Sequence, residues 1–135
     1  MISLIGAWTL QSSINYRNDV AKPTFGEPPA GQIQYTEDGR MSAFLMDPDW
    51  ASKGDANSVA DSFTEFFSYG GTWERDGDQV RHQILYASVP TRVGTSFART
   101  IEVIDDNTIR LVTAPETSKS GTVYVTKLTW KRVAD

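Results

Sequence analysis

The chain has 135 residues, 39% of them hydrophobic and 22% charged, with no cysteine and a single histidine. That length fits one domain, residues 1–135, with a core that needs no staples; the missing thiols exclude disulfides and thiolate metal centres. A net charge of −4 with scattered Lys and Arg excludes the basic stripe that nucleic acids require, and no apolar run approaches the ~20 residues of a membrane helix.

The first residues lack the basic start and long apolar run of a signal peptide, so the expected location is cytoplasmic. Residues 7–15 read as a strand with Trp8, Leu10, Ser12 and Ile14 on one face. Residues 22–31, KPTFGEPPAG, hold too many breakers for regular structure. Residues 32–46 form a hairpin turning at Asp38-Gly39, in either of two registers. A two-residue turn puts Arg40, Ser42 and Phe44 on the face of Ile33 and Tyr35; a three-residue turn with a glycine bulge puts Met41, Ala43 and Leu45 there.

Residues 55–67, DANSVADSFTEFF, carry a helical stripe of Val59, Phe63, Phe66 and Phe67, with Asp55 or Asn57 as cap and Gly70-Gly71 at the end. Strand signals resume at 72–76, 79–88, 96–104, 108–114 and 122–132, joined by short polar turns. The sum is an all-β chain of eight strands with one helix inserted after the third. Eight antiparallel strands in sequence predict an up-and-down barrel, which removes exposed edges and encloses either packed side chains or one small ligand.

Five stretches carry a family resemblance: LIGAWTLQS, GQIQYTEDGRMSAFLMDP, FFSYGGTWERDGDQVRHQI, VGTSFARTIEV and LTWKRV. Together they resemble the lipocalin-like domain family of small bacterial and fungal proteins. The resemblance implies a calycin-type barrel with an interior cavity. It also implies family positions at Arg40, Met41 and Ser42, along Tyr69 to Glu74, and at His82 and Arg99. Some such barrels act as cofactor-free cyclases or isomerases in natural-product pathways, and others are binders.

Strand parity puts Val80, His82, Ile84 and Tyr86 on one face, and Phe97, Arg99, Ile101 and Val103 on another. An inward His82 is either a satisfied core residue or an acid/base group. An inward Arg99 must be paired, with Glu65 or Glu74, or face a carbonyl or anion. Only one of Trp73 and Glu74 can point inward, and the aromatic is preferred. Trp8 and Trp130 lie on the first and last strands, where closure would bring them together. No phosphate loop, dinucleotide fingerprint, nucleophile elbow or calcium loop is present.

These readings combine as a cofactor-free cyclase or isomerase for a small, mostly hydrophobic molecule, with a non-catalytic carrier as the alternative. The catalytic candidates are His82, Arg99, Tyr86 and Tyr69. The lining candidates are Tyr35, Arg40, Ser42, Phe44, Glu65, Phe66, Trp73, Ile84, Phe97 and Ile101. No cofactor and no metal is expected. The expected partner is a hydrophobic small molecule, with no nucleic acid and no membrane, and a homodimer stays open.

Overall fold

Residues 2–53 and 65–133 are described by this computed structural model. Their strands are β1 (Gly6–Arg17), β2 (Val20–Pro23), β3 (Ala30–Tyr35), β4 (Arg40–Met46), β5 (Phe66–Asp76), β6 (Gln79–Ala87), β7 (Ser96–Asp105), β8 (Thr108–Thr113), β9 (Glu116–Thr117) and β10 (Val123–Arg132). The sheet order is β2-β1-β3-β4-β5-β6-β7-β8-β10-β9, and β1 also pairs with β10. That last pairing closes eight strands into an antiparallel barrel; β2 and β9 are short additions at one end. Leu10 pairs with Trp130 in the closing ladder, and Trp8 and Trp130 are both buried.

Alternation writes the inner face directly. In β4, Met41, Ala43 and Leu45 are buried between more exposed neighbours, and in β6 Val80, His82 and Ile84 are buried in the same way. The β3–β4 hairpin takes the glycine-bulge register: Tyr35 pairs with Met41, Ile33 with Ala43 and Gly31 with Leu45. Thr36 N–H donates to Arg40 O at 2.8 Å around Glu37-Asp38-Gly39, and Gly39 supplies φ +91°. Arg40, Ser42 and Phe44 therefore face outward, which corrects the register that placed them inside.

Two bulges break simple parity elsewhere. The ladder of β1 shifts between Leu10 and Ser12, so Ser13 is buried in place of Ser12 and Ile14. The β5–β6 ladder shifts where Gly70 pairs with Tyr86 and Gly71 with Ile84, leaving Leu85 unpaired. Tyr86 is thereby turned outward and is 67% exposed. A Cβ on Gly71 would lie 1.9 Å from Gln83 O, so β6 can approach only a glycine there.

The helix expected over 55–67 lies mostly outside the described residues. Its last two positions, Phe66 and Phe67, are strand residues of β5, and Gly70-Gly71 lie within that strand instead of ending a helix. Lys22 and Pro23, expected in a loop, belong to the edge strand β2. Its hairpin with β1 turns at Asn18-Asp19, both at positive φ (48° and 68°). A short 3-10 segment, Pro48–Lys53, follows β4. No helix among the described residues is long and apolar enough to cross a membrane.

The two ends of the barrel differ. At one, Leu4, Trp8, Tyr35, Val80, Ile109 and Trp130 form a sealed core. Trp8 Nε1 donates to Leu4 O at 2.9 Å, and Arg132 covers the Trp8 ring while donating to Ile5 O and Ser3 O. Arg75 Nη1 donates to Ile2 O at the same end. At the other end, Phe67, Tyr69, Phe97, Arg99, Thr113, Tyr124 and Thr126 share the inward parity but are only partly buried. Among the described residues the inner face is less tightly packed there.

Candidate functional site

The chemistry of the interior sits where the sealed half meets the open half. His82 on β6 is 1% exposed. Its Nε2 lies 2.6 Å from the Tyr35 hydroxyl and its Nδ1 2.9 Å from the Tyr69 hydroxyl. Register brings these groups together. Trp73 on β5 pairs with His82, which pairs with Phe97 on β7, and the Tyr35 ring packs edge-on to Trp73 at 4.9 Å. Trp73 Nε1 donates to Thr36 O, anchoring β5 to the β3–β4 turn.

Three ring groups and two hydrogen bonds fix a proton count. Neutral imidazole carries one N–H and each tyrosine one O–H, so three protons serve two bonds. Whichever way the relay runs, one tyrosine keeps an O–H to give elsewhere. Burial, then the Arg99 charge, lowers the His82 pKa from 6.5 to about 3, so the imidazole is neutral. Burial likewise pushes Tyr69 up to about 12 and Tyr35 well above the ordinary phenol value. The relay is polar and uncharged.

Arg99 supplies charge beside it. Its guanidinium lies 4.7 Å from the centre of the Phe97 ring and donates to Ala98 O at 3.0 Å. Burial is the main reason its pKa lies below the ordinary value; the tyrosines and Glu116 act in the opposite direction. Arg92 approaches the same ring at 5.5 Å. Tyr69 meets Phe97 edge-on at 5.1 Å, and Phe67 packs against both rings.

Of the sequence candidates, His82, Tyr35, Tyr69, Trp73, Phe97 and Arg99 come together in this interior. Ile84 and Ile101 also face inward, as packed core residues. Tyr86, Arg40 and Ser42 converge elsewhere, on the outer face: with Gln34, Thr36, Met41, Gly70 and Gly71 they line an open groove of about 410 Å³. Phe44 is 43% exposed on that outer side. Phe66 stacks on Trp50 outside the barrel, at 5.9 Å. Glu74 points to solvent opposite Arg81, which removes it as a partner for Arg99. Glu65 is partly buried in the turn before β5, where its carbonyl accepts from Asp47 N–H.

Phe67 and Arg92 were missed from sequence. Phe67 was legible, since Phe67, Tyr69, Gly71 and Trp73 alternate at period two; the competing helical stripe obscured it. Arg92 lies in a short turn whose sequence gives no signal. Among the described residues no group of His, Asp and Glu is placed to hold a metal ion.

A closed antiparallel barrel, tightly packed at one end and only partly buried at the other among the described residues, with a neutral polar relay between them, is a calycin-like architecture. The chain belongs to the lipocalin-like domain family, whose match spans residues 5–133. Comparison with curated protein sequences gives no match. Solved structures similar to this chain include a redesigned β-barrel, at TM-score 0.45 and 13% identity, covering 97% of this chain and 92% of that one. A de novo designed fluorescence-activating β-barrel is similar at TM-score 0.46 and 13% identity, covering 96% and 93%.

Proposed function

We propose that the protein binds a small, mostly hydrophobic molecule in the open half of the barrel, with an acceptor group of that molecule on the Tyr69 hydroxyl. The proton count of the relay carries this reading. Tyr35 is 2% exposed, so leaving the spare O–H there would bury an unsatisfied donor at a cost of about 1–3 kcal/mol. Tyr69 is only partly buried. The relay then ends in a Tyr69 O–H aimed away from His82, beside Phe67 and Phe97.

The test is uptake of the neutral dye N-phenyl-1-naphthylamine, followed by its fluorescence, together with mass spectrometry of small molecules extracted from the purified protein. Saturable binding of the dye, competed by the extracted molecule, with binding of the extracted molecule weakened in Tyr69→Phe, is the expected result. Absence of both dye uptake and retained small molecule refutes it.

A second reading, cofactor-free isomerisation or cyclisation, is favoured by the relay itself. Tyr69, the relay member that faces the molecule, could take a proton from one of its atoms while giving its own O–H proton to another, with His82 and Tyr35 left neutral. Such an enzyme would show no rate limb near pH 6.5, because His82 titrates at about 3. A limb near 6.5 that vanishes in His82→Gln would contradict the buried, neutral imidazole.

A further inference from the structure

We propose that the molecule held in the open half carries an anionic oxygen group, a carboxylate or its chemical equivalent, seated against Arg99 and the Tyr69 hydroxyl with Arg92 behind it at the rim. This rests on the binding reading above and names the ligand's polar end. The charge distribution is the first support. The chain carries net −4, yet no Asp or Glu on the described ring strands shares the inward face. Glu74 and Glu102 point out, Glu102 to Arg110 at 3.3 Å. Among the described residues, the inward charge on these strands at that end is carried by arginine.

Arg99 itself is the second. A guanidinium has five N–H donors, and in this structure Arg99 gives one to its neighbour's carbonyl. Among the described residues no carboxylate lies within ion-pair distance of it. Glu116 is near enough to be felt electrostatically, but it is exposed at the rim. A partly desolvated cation without a bonded counter-charge is unfavourable, and a second cation nearby makes it more so. Arg92 and Arg99 lie 5.5 and 4.7 Å from the centre of one Phe97 ring. An anion between them and Tyr69 O–H would satisfy donors from both sides, while Phe67 and Phe97 offer the rest of the molecule an apolar wall. Glu116 then acts as a competitor for Arg99.

Two dyes with the same rings separate charge from hydrophobicity: 1-anilinonaphthalene-8-sulfonate and N-phenyl-1-naphthylamine, which lacks the sulfonate. Both are titrated into the full chain at low salt. The sulfonate dye should bind about tenfold more tightly, as a charge-assisted contact predicts. Arg99→Met should remove most of that ratio while leaving the neutral dye within about twofold, Arg92→Met should reduce it less, and Glu116→Gln should raise it. Retained binding of the neutral dye shows that each variant is folded; if Arg99→Met does not fold, Arg99→Lys and Arg92→Met decide by the same ratio. If both dyes bind equally, or the ratio is indifferent to Arg99 and Arg92, the anionic group is refuted and the binding reading stands. If neither dye binds, the anionic group is refuted; if in addition no small molecule is retained, the binding reading fails with it.

Discussion

Acid should unfold this protein through His82. The imidazole is buried against two phenols, and its pKa falls from 6.5 in the unfolded chain to about 3 in the fold. Between those values the unfolded state takes up a proton that the folded state refuses. The stabilisation is complete above pH 6.5 and is lost as pH falls toward 3. Within the window the slope approaches about 1.4 kcal/mol per pH unit. Relative to pH 7, the loss is about 1 kcal/mol at pH 5.5 and about 2–3 kcal/mol at pH 4.5, a sizeable share of a small domain's ~5–15 kcal/mol.

No other histidine competes for this window. Asp105, an exposed carboxylate with a lowered pKa, contributes stability above the carboxylate value of 3.8 and loses it below, outside the range in question. The assay is urea unfolding followed by tryptophan fluorescence at half-unit pH steps from 7 to 4.5, on wild type and His82→Gln. Wild type should show the slope and the variant should be flatter by the amounts given. Equal slopes, or an NMR titration of His82 with a midpoint near 6.5, would refute the claim that the imidazole is held neutral by burial.

Three further outcomes follow from the geometry. Tyr35→Phe strips the donor from a fully buried Nε2 and should cost about 1–3 kcal/mol in urea unfolding, whereas Tyr69→Phe, at the accessible end, should cost about 1 kcal/mol less. Gly71→Ala places a methyl 1.9 Å from Gln83 O and should cost more than about 3 kcal/mol or prevent folding; Gly77→Ala meets only open space at φ +61° and should cost about 1 kcal/mol. Met41→Ala should cost about 2–5 kcal/mol and Arg40→Ala less than about 0.5, a contrast in thermal melts that would reverse if the other hairpin register were correct.

The barrel was legible because its strands alternate cleanly and its turns are short. Ile84 and Ile101 report their faces by parity alone, and Trp8 and Trp130 mark the closure. Parity fails wherever the ladder slips by one residue. The bulge near Gln11 replaces Ser12 with Ser13, and the extra residue Leu85 sends Tyr86 outward. A bulge is a response to twist and closure, which are properties of the whole barrel, so local pattern does not announce it. The Asn18-Asp19 hairpin was readable as a primed turn; the breakers following it drew attention instead. At Phe66-Phe67 two periods compete within seven residues, and strand pairing with Leu45 and Met46 decides.

Which partners His82 would find was beyond any local pattern, because Tyr35, Tyr69 and His82 meet from three strands with one more between them. Their meeting explains a feature that pairwise reasoning leaves odd. A histidine beside an arginine, deep in a barrel, would be repelled if protonated and starved of hydrogen bonds if merely buried. Two phenol hydroxyls resolve both difficulties, since each can give or accept a proton bond without becoming charged. The fold thus separates polarity from charge. Polarity runs as a neutral relay from Tyr35 through His82 to Tyr69, and the charge beside it is carried by the guanidinium group of Arg99. In the proposed binding mode the molecule's polar end meets Tyr69 and Arg99 while its apolar body lies against Phe67 and Phe97.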